Sequence, residues 1–184
     1  IYLCYFISQN LLMTTESGDY KMMTFSDDHM NMLFQRFVLE YFRKHFPKTH
    51  AHAGQIALDC IKEESTTELL PLMQTDIMLT INDRTLIIDT KYYYKTLQVH
   101  FNKRTIHSAN YYQIFTYVNS LDKEHNGKVD GMLLYAKTQD DIVPDGHLMQ
   151  KDGNIIMFRT IDLNMDFEEI KKQLNALINY YNMQ

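Results

Sequence analysis

The segment PLMQTDIMLTINDRTLIIDTKYY, residues 71–93, constrains the fold more than any other part of the chain. Asn82-Asp83 is its one plausible turn, set between two runs rich in Ile, Leu, Met and Thr, so the segment reads as a β-hairpin over about 72–93. If the loop is centred there, cross-strand partners have numbers that sum to 165, and Asp76 sits directly opposite Asp89. Lys91 shares their face because side chains alternate along a strand. Ile77, Leu79, Ile81, Leu86 and Ile88 fall on the other face and make a core surface. Two carboxylates roughly 5 Å apart repel unless something positive lies between them. A divalent metal with a lysine beside it fits that gap, which points to phosphodiester hydrolysis.

The Asp-x-Lys element alone is weak evidence, since the chain holds three such triplets: Asp19-Tyr20-Lys21, Asp89-Thr90-Lys91 and Glu169-Ile170-Lys171. The first lies in a short polar linker. The third lies on an amphipathic helix, where positions two apart point in different directions. Only the second lies on an apolar strand with another carboxylate facing it. The competing reading is a surface hairpin whose charges are merely solvated. Against it, an Asp that follows Leu86, Ile87 and Ile88 is an odd place for an idle charge.

The 184 residues suit one domain with a substantial core, and a hydrophobic share of 45% is ordinary for a globular protein. The formal net charge of −5 disfavours gripping DNA by global electrostatics, because phosphate contacts need Lys and Arg. A nuclease so balanced would use a local basic patch or a partner. The best such patch is Lys103 and Arg104 in FNKRTI, between His100 and His107, with a solvated loop as the alternative. Cys4 and Cys60 show no spacing pattern, which fits a reducing cytoplasmic setting without disulfide or zinc framework. His50 and His52 could share a strand face, but no further zinc ligand accompanies them. No segment has the length of a membrane span. No P-loop occurs, so any nucleotide hydrolysis belongs to another chain.

Along the chain, residues 1–19 read as the end of a preceding helix and a linker from a longer N-terminal region, and 20–184 as the domain proper. A helix is expected over about 27–46, with Met30, Leu33, Phe34, Phe37, Val38, Tyr41 and Phe42 on its apolar stripe. Ser26 or Asp27 would cap it and Pro47 end it. A short strand region follows at about 50–61, then the hairpin. A second helix is expected at 106–121 and a strand at 132–136 that is buried on both faces. Strand, helix, strand in that order predicts a parallel crossover unit. A last hairpin turns at 151–154, and a final helix from about Met165 buries Phe167, Ile170, Leu174, Leu177, Ile178 and Tyr181. The expected fold class is α/β (α+β), a mixed sheet with helices packed on it.

That order of elements, with an acidic hairpin ending in Asp-x-Lys, resembles the restriction-endonuclease-like PD-(D/E)xK fold. LLPLMQTDIML, LIIDTKYY, HSANYYQIFTYV and GMLLYAKT, in this order and spacing, resemble the McrC nuclease subunits of McrBC modification-dependent (5-methylcytosine) restriction systems, over most of residues 20–184. The resemblance implies a DNA endonuclease that defends against modified foreign DNA. Its partners would be a McrB-like AAA+ GTPase and a second copy of the nuclease subunit for double-strand cutting. It implies Mg²⁺, replaceable by Mn²⁺, held by Asp76, Asp89 and the Thr90 carbonyl, with Lys91 at the attacking water and scissile phosphate. Gln113 and Tyr117 resemble a Gln-x-x-x-Tyr pair of RecB-like nucleases, and at i and i+4 they share a helix face.

One position departs from the pattern: Gln35 stands where similar proteins carry a metal-completing Glu. A neutral oxygen attracts Mg²⁺ less, so Glu40, one turn on, is a candidate substitute, although it points to a different part of the helix. The departure keeps open a nuclease fold that has become a DNA- or partner-binding module. A stand-alone RecB-like nuclease is a third reading.

Overall fold

The computed structural model describes residues 26–59, 72–93, 98–100, 103–137 and 143–182. The expected helix end and linker at 1–19 lie outside them, as does the Tyr181 side chain. So do the side chains of Lys103 and Arg104.

In chain order the elements are α1 (Asp27–His45), a 3-10 turn (Pro47–Thr49), β1 (Gln55–Ile56), β2 (Met73–Gln74), β3 (Ile77–Ile81), β4 (Arg84–Lys91), β5 (Gln98–His100) and β6 (Lys103–Thr105). Then come α2 (Ser108–Leu121), β7 (Val129–Ala136), β8 (Gly146–Met149), β9 (Ile155–Ile161) and α3 (Phe167–Asn182). Five strands form the central mixed sheet in the order β3-β4-β7-β9-β8. β4, β7 and β9 run parallel, and β3 and β8 close its edges as antiparallel partners.

The hairpin register is the expected one: Ile77 pairs with Ile88 and Ile81 with Arg84, each pair summing to 165. Asn82 takes a left-handed φ of 56°, a conformation Asn tolerates, which closes a two-residue loop. The β4–α2–β7 crossover is parallel as expected, and every residue of β7 is buried.

Ser26 caps α1, its Oγ accepting from the His29 N–H at 3.4 Å, and Pro47 follows its end. The buried stripe is Phe34, Val38, Tyr41 and Phe42. Leu33 is 45% exposed, because the apolar stripe is wider than the contact the helix makes with the sheet. In α3, Ile170, Leu174, Leu177 and Ile178 recur at helical spacing and are buried, whereas Phe167 is 54% exposed. Phe167 is the helix's first residue and precedes the turn that reaches the sheet.

Two cores result. On one face α1 and α3 pack over Ile77, Leu79, Leu86, Ile88, Met132 and Leu134. On the other, Ile114, Tyr117 and Val118 of α2 pack over Ile87, Leu133 and Tyr135. That second face also carries Asp89 and Lys91, so α2 is the helix that roofs the candidate site.

Gly131 lets α2 come close. A Cβ there would lie 2.7 Å from Ile114 Cγ1 and 2.8 Å from Val118 Cγ2. Gly131→Ala therefore lifts the helix, and we expect a loss of about 1–3 kcal/mol in thermal or urea unfolding.

The far end of α2 is tied down by Asp122. Its carboxylate accepts from the Asn126 N–H (3.1 Å), the Gly127 N–H (3.2 Å) and Asn154 Nδ2 (2.8 Å). Burial works against this carboxylate, but the Asn154 amide and the two N–H groups outweigh it and hold its pKa below the usual value. A depressed folded-state pKa adds stability above the unfolded value near 3.9 and loses it as pH falls through the folded one. Asp122→Asn should cost about 1–3 kcal/mol at pH 7. Its deficit in unfolding experiments should shrink below pH 4.

Candidate active site

The site forms where β4 leaves the sheet beneath the first half of α2. Asp76 is the residue before β3, and the register carries it opposite Asp89. There its carboxylate replaces the missing strand pairing: Oδ2 accepts from both the backbone N–H and the hydroxyl of Thr90, each at 2.7 Å. Asp76 is thereby fixed at the strand edge beside Asp89.

Asp89 is 2% exposed. Lys91 Nζ lies 2.8 Å from its Oδ2, an ion pair without well-directed hydrogen-bond geometry. Lys91 Nζ also donates to Gln113 Oε1 at 3.2 Å, Gln113 Nε2 donates to the Tyr117 hydroxyl at 2.8 Å, and that hydroxyl donates to the Gln74 carbonyl at 2.9 Å. A continuous polar chain thus runs from Asp89 on β4, through α2, to β2.

The electrostatics follow from burial. Desolvation pushes the Asp89 carboxyl up to about 6; Lys91 pulls it back and Asp76 adds to the push. Burial works against the Lys91 ammonium, but Asp89 outweighs it and holds the lysine above its usual range, charged at neutral pH. Tyr117 is raised mainly by burial, with Gln113 opposing and the two carboxylates adding.

Of the residues expected from sequence, Asp76, Asp89, Thr90, Lys91, Gln113 and Tyr117 are brought together. Gln35 is half-buried on α1, one turn beyond Asn31, whose Oδ1 accepts from the Tyr92 N–H at 2.9 Å just past Lys91. That contact directs this face of α1 toward the end of β4. Among the described residues, Gln35 itself makes no hydrogen bond to the cluster. Glu40 does not substitute: it is exposed and paired with Arg43 at 2.8 Å, on a different side of the helix. His50 is in the left-handed region at φ 51° and His52 Nδ1 contacts the His50 carbonyl, so the two do not share the face of one regular strand. Among the described residues no group of three or more His, Cys, Asp or Glu side chains converges.

Sequence reasoning missed Asn31, the Gln74 carbonyl, and the group Tyr93, Asn110 and Tyr135. Asn110 alone left a trace, one turn before Gln113 on the same helix face. A cavity of about 670 Å³ between β9 and α3, lined by residues including Met157, Arg159, Gln173 and Leu177, contains none of the candidate residues.

The donor set suits a hard divalent cation. It offers carboxylate oxygens from both sides of the hairpin, one of them buried and raised in pKa by desolvation, with a nearby cation in Lys91 only. Among the described residues no helix is long and apolar enough to cross a membrane.

Comparison with known proteins agrees with the resemblance to McrC. The family model described as "McrBC 5-methylcytosine restriction system component" matches residues 1–136, about three-quarters of the chain. The type IV methyl-directed restriction enzyme EcoKMcrBC of Escherichia coli (strain K12) is 26% identical over 184 residues, 98% of this chain and 52% of that protein. The chain therefore spans about half the length of this curated relative. Among solved structures, a chain from the Thermococcus gammatolerans assembly of McrB AAA+ hexamers with bound McrC shares the fold at TM-score 0.58 and 16% identity, over 82% of this chain and 33% of that one. The match over three-quarters of its length settles the family: this chain belongs to the McrBC 5-methylcytosine restriction system components.

Proposed function

We propose that this chain is the Mg²⁺-dependent endodeoxyribonuclease subunit of a McrBC-type restriction system. The observation that carries the proposal is the buried Asp89–Lys91 pair with Asp76 beside it and Gln113 on Lys91. Asp76, Asp89 and the Thr90 carbonyl would hold the cation, with Gln35 of α1 as the further oxygen the resemblance implies. When bound, the cation supplies Lewis-acid polarisation of the scissile phosphate and a more acidic water.

The chain's own residues do the rest. Lys91, held charged, donates to the phosphate and orients the attacking water, offsetting charge that builds in the transition state. Gln113 keeps the ammonium aimed out of the core, and Tyr117 keeps Gln113 in place. Asp76 stays fixed through Thr90. With a net charge of −5 the chain needs help to hold DNA, which a McrB-like AAA+ GTPase would supply. Cutting both strands requires two copies of the site.

Calorimetric titration of Mn²⁺ in the presence of a non-cleavable duplex tests the reading. Binding that Asp89→Asn removes supports it; no binding to either protein at millimolar metal overturns it.

A second reading, a nuclease fold retained for binding alone, is favoured by Gln35 standing where a carboxylate is expected. Adding that charge should strengthen the site. Gln35→Glu is expected to raise Mn²⁺ affinity and cleavage on the order of tenfold, since ligand charge sets cation affinity. An unchanged metal dependence would remove Gln35 from the site.

A further inference from the structure

Behind the Lys91–Gln113 contact lies a second polar layer that the proposed chemistry does not use. Tyr93, two residues beyond Lys91, donates its hydroxyl to Asn110 Oδ1 at 3.2 Å. Asn110 lies three residues before Gln113, so β4 and α2 are joined by two neighbouring rungs on one face, Lys91–Gln113 and Tyr93–Asn110. The His107 ring packs on Tyr93 with centroids 5.0 Å apart. Beneath both rungs is Tyr135, the register partner of Lys91 on β7 and fully buried. Its hydroxyl faces the Asn110 amide without a well-directed hydrogen bond, and Asn110 Nδ2 is buried and unpaired as well.

A buried hydroxyl that is poorly satisfied costs stability, so phenylalanine would be the better residue at 135 if packing were the only demand. Residues that break this rule concentrate at functional sites. Resting on the nuclease reading above, we propose that Tyr135, Asn110 and Tyr93 are positioning residues that set α2 along β4 and so hold Gln113 and Lys91 in their working geometry. Burial pushes the Tyr135 hydroxyl up to about 12, and the facing Asn110 amide opposes that rise, as a donor does. Asn110 takes the Tyr93 hydroxyl through Oδ1 and has its Nδ2 left to turn toward the Tyr135 oxygen.

The test uses the full chain assembled with its AAA+ partner and compares wild type, Tyr135→Phe, Tyr93→Phe and Asp89→Asn. Removing either tyrosine hydroxyl should lower kcat for cleavage about tenfold, the cost expected of losing a group that orients a site residue. KM for DNA and partner affinity should stay at the wild-type values, and the thermal midpoint of Tyr135→Phe should be at or above that of wild type. Wild-type kcat in both phenylalanine variants overturns the inference, as does a kcat loss that tracks a lowered midpoint. The Asp89→Asn control separates the two levels. If wild type cuts and Asp89→Asn does not, the nuclease reading stands and only the positioning role is judged by the phenylalanine variants. If wild type does not cut, both fall.

Discussion

On the proposed function, Asp89→Asn is expected to abolish DNA cleavage by the assembled complex and to leave folding and partner binding intact. The expected loss is about a thousandfold or more, because a metal site supplies several kcal/mol of charge stabilisation and each 1.4 kcal/mol is about tenfold in rate. Two effects combine. The amide removes one of the two cross-strand carboxylates that would hold the cation, and it takes the charged counter-ion from Lys91, leaving that ammonium only neutral oxygens, the amide's own and that of Gln113. The fold should tolerate the change. Asp89 is buried with its pKa raised to about 6, so the carboxylate is already disfavoured where it sits, and an isosteric amide still offers Lys91 an oxygen. A thermal midpoint within a few degrees of wild type, a range that corresponds to about 1 kcal/mol or less, checks this half of the prediction. Cleavage near the wild-type rate would remove Asp89 from the chemistry.

Asp130→Ala has the largest expected effect on stability, about 3–5 kcal/mol in urea unfolding. Asp130 is fully buried at the start of β7. Its carboxylate meets Arg84 in a forked pair, Nη2 to Oδ1 at 2.7 Å and Nε to Oδ2 at 2.9 Å. Oδ1 also accepts from the Ile155 N–H at 2.7 Å. One side chain therefore clamps the starts of all three parallel strands, β4, β7 and β9. Alanine takes the forked carboxylate from the half-buried Arg84 and the Oδ1 acceptor from the Ile155 N–H, which is where the cost arises. Arg84→Met alone should be comparably harmful because it strands the carboxylate. The pair Asp130→Leu with Arg84→Met should recover much of the loss, since an apolar pair in place of a buried ion pair is often close to neutral. A double variant as unstable as the sum of the two single variants would show that the two residues act independently.

The hairpin was legible because its information is local. Period-two alternation and one turn fix a register, and the register places Asp76 against Asp89 and Lys91 on their face. The pairing of Gln113 with Tyr117 was legible for the same reason, as a spacing along one helix. Helix boundaries came within about two residues, since caps and prolines are local as well. Glu40 lies five residues beyond Gln35, roughly 140° round the helix and so on another face, where Arg43 pairs with it.

What the sequence determined by itself is this set of periodicities: which residues share a strand or helix face, and hence which carboxylates and which lysine form one cluster. What only the tertiary structure decided is everything that depends on how separate elements are brought together. The 3.2 Å contact between Lys91 and Gln113, the Asn110 and Tyr135 layer behind it and the Asp130 clamp all span elements far apart in the chain. Alternation along one strand carries no information about which residue of a parallel neighbour lies alongside it. That is set by how closely α2 can approach over Gly131 and by which buried polar groups must find partners when it does.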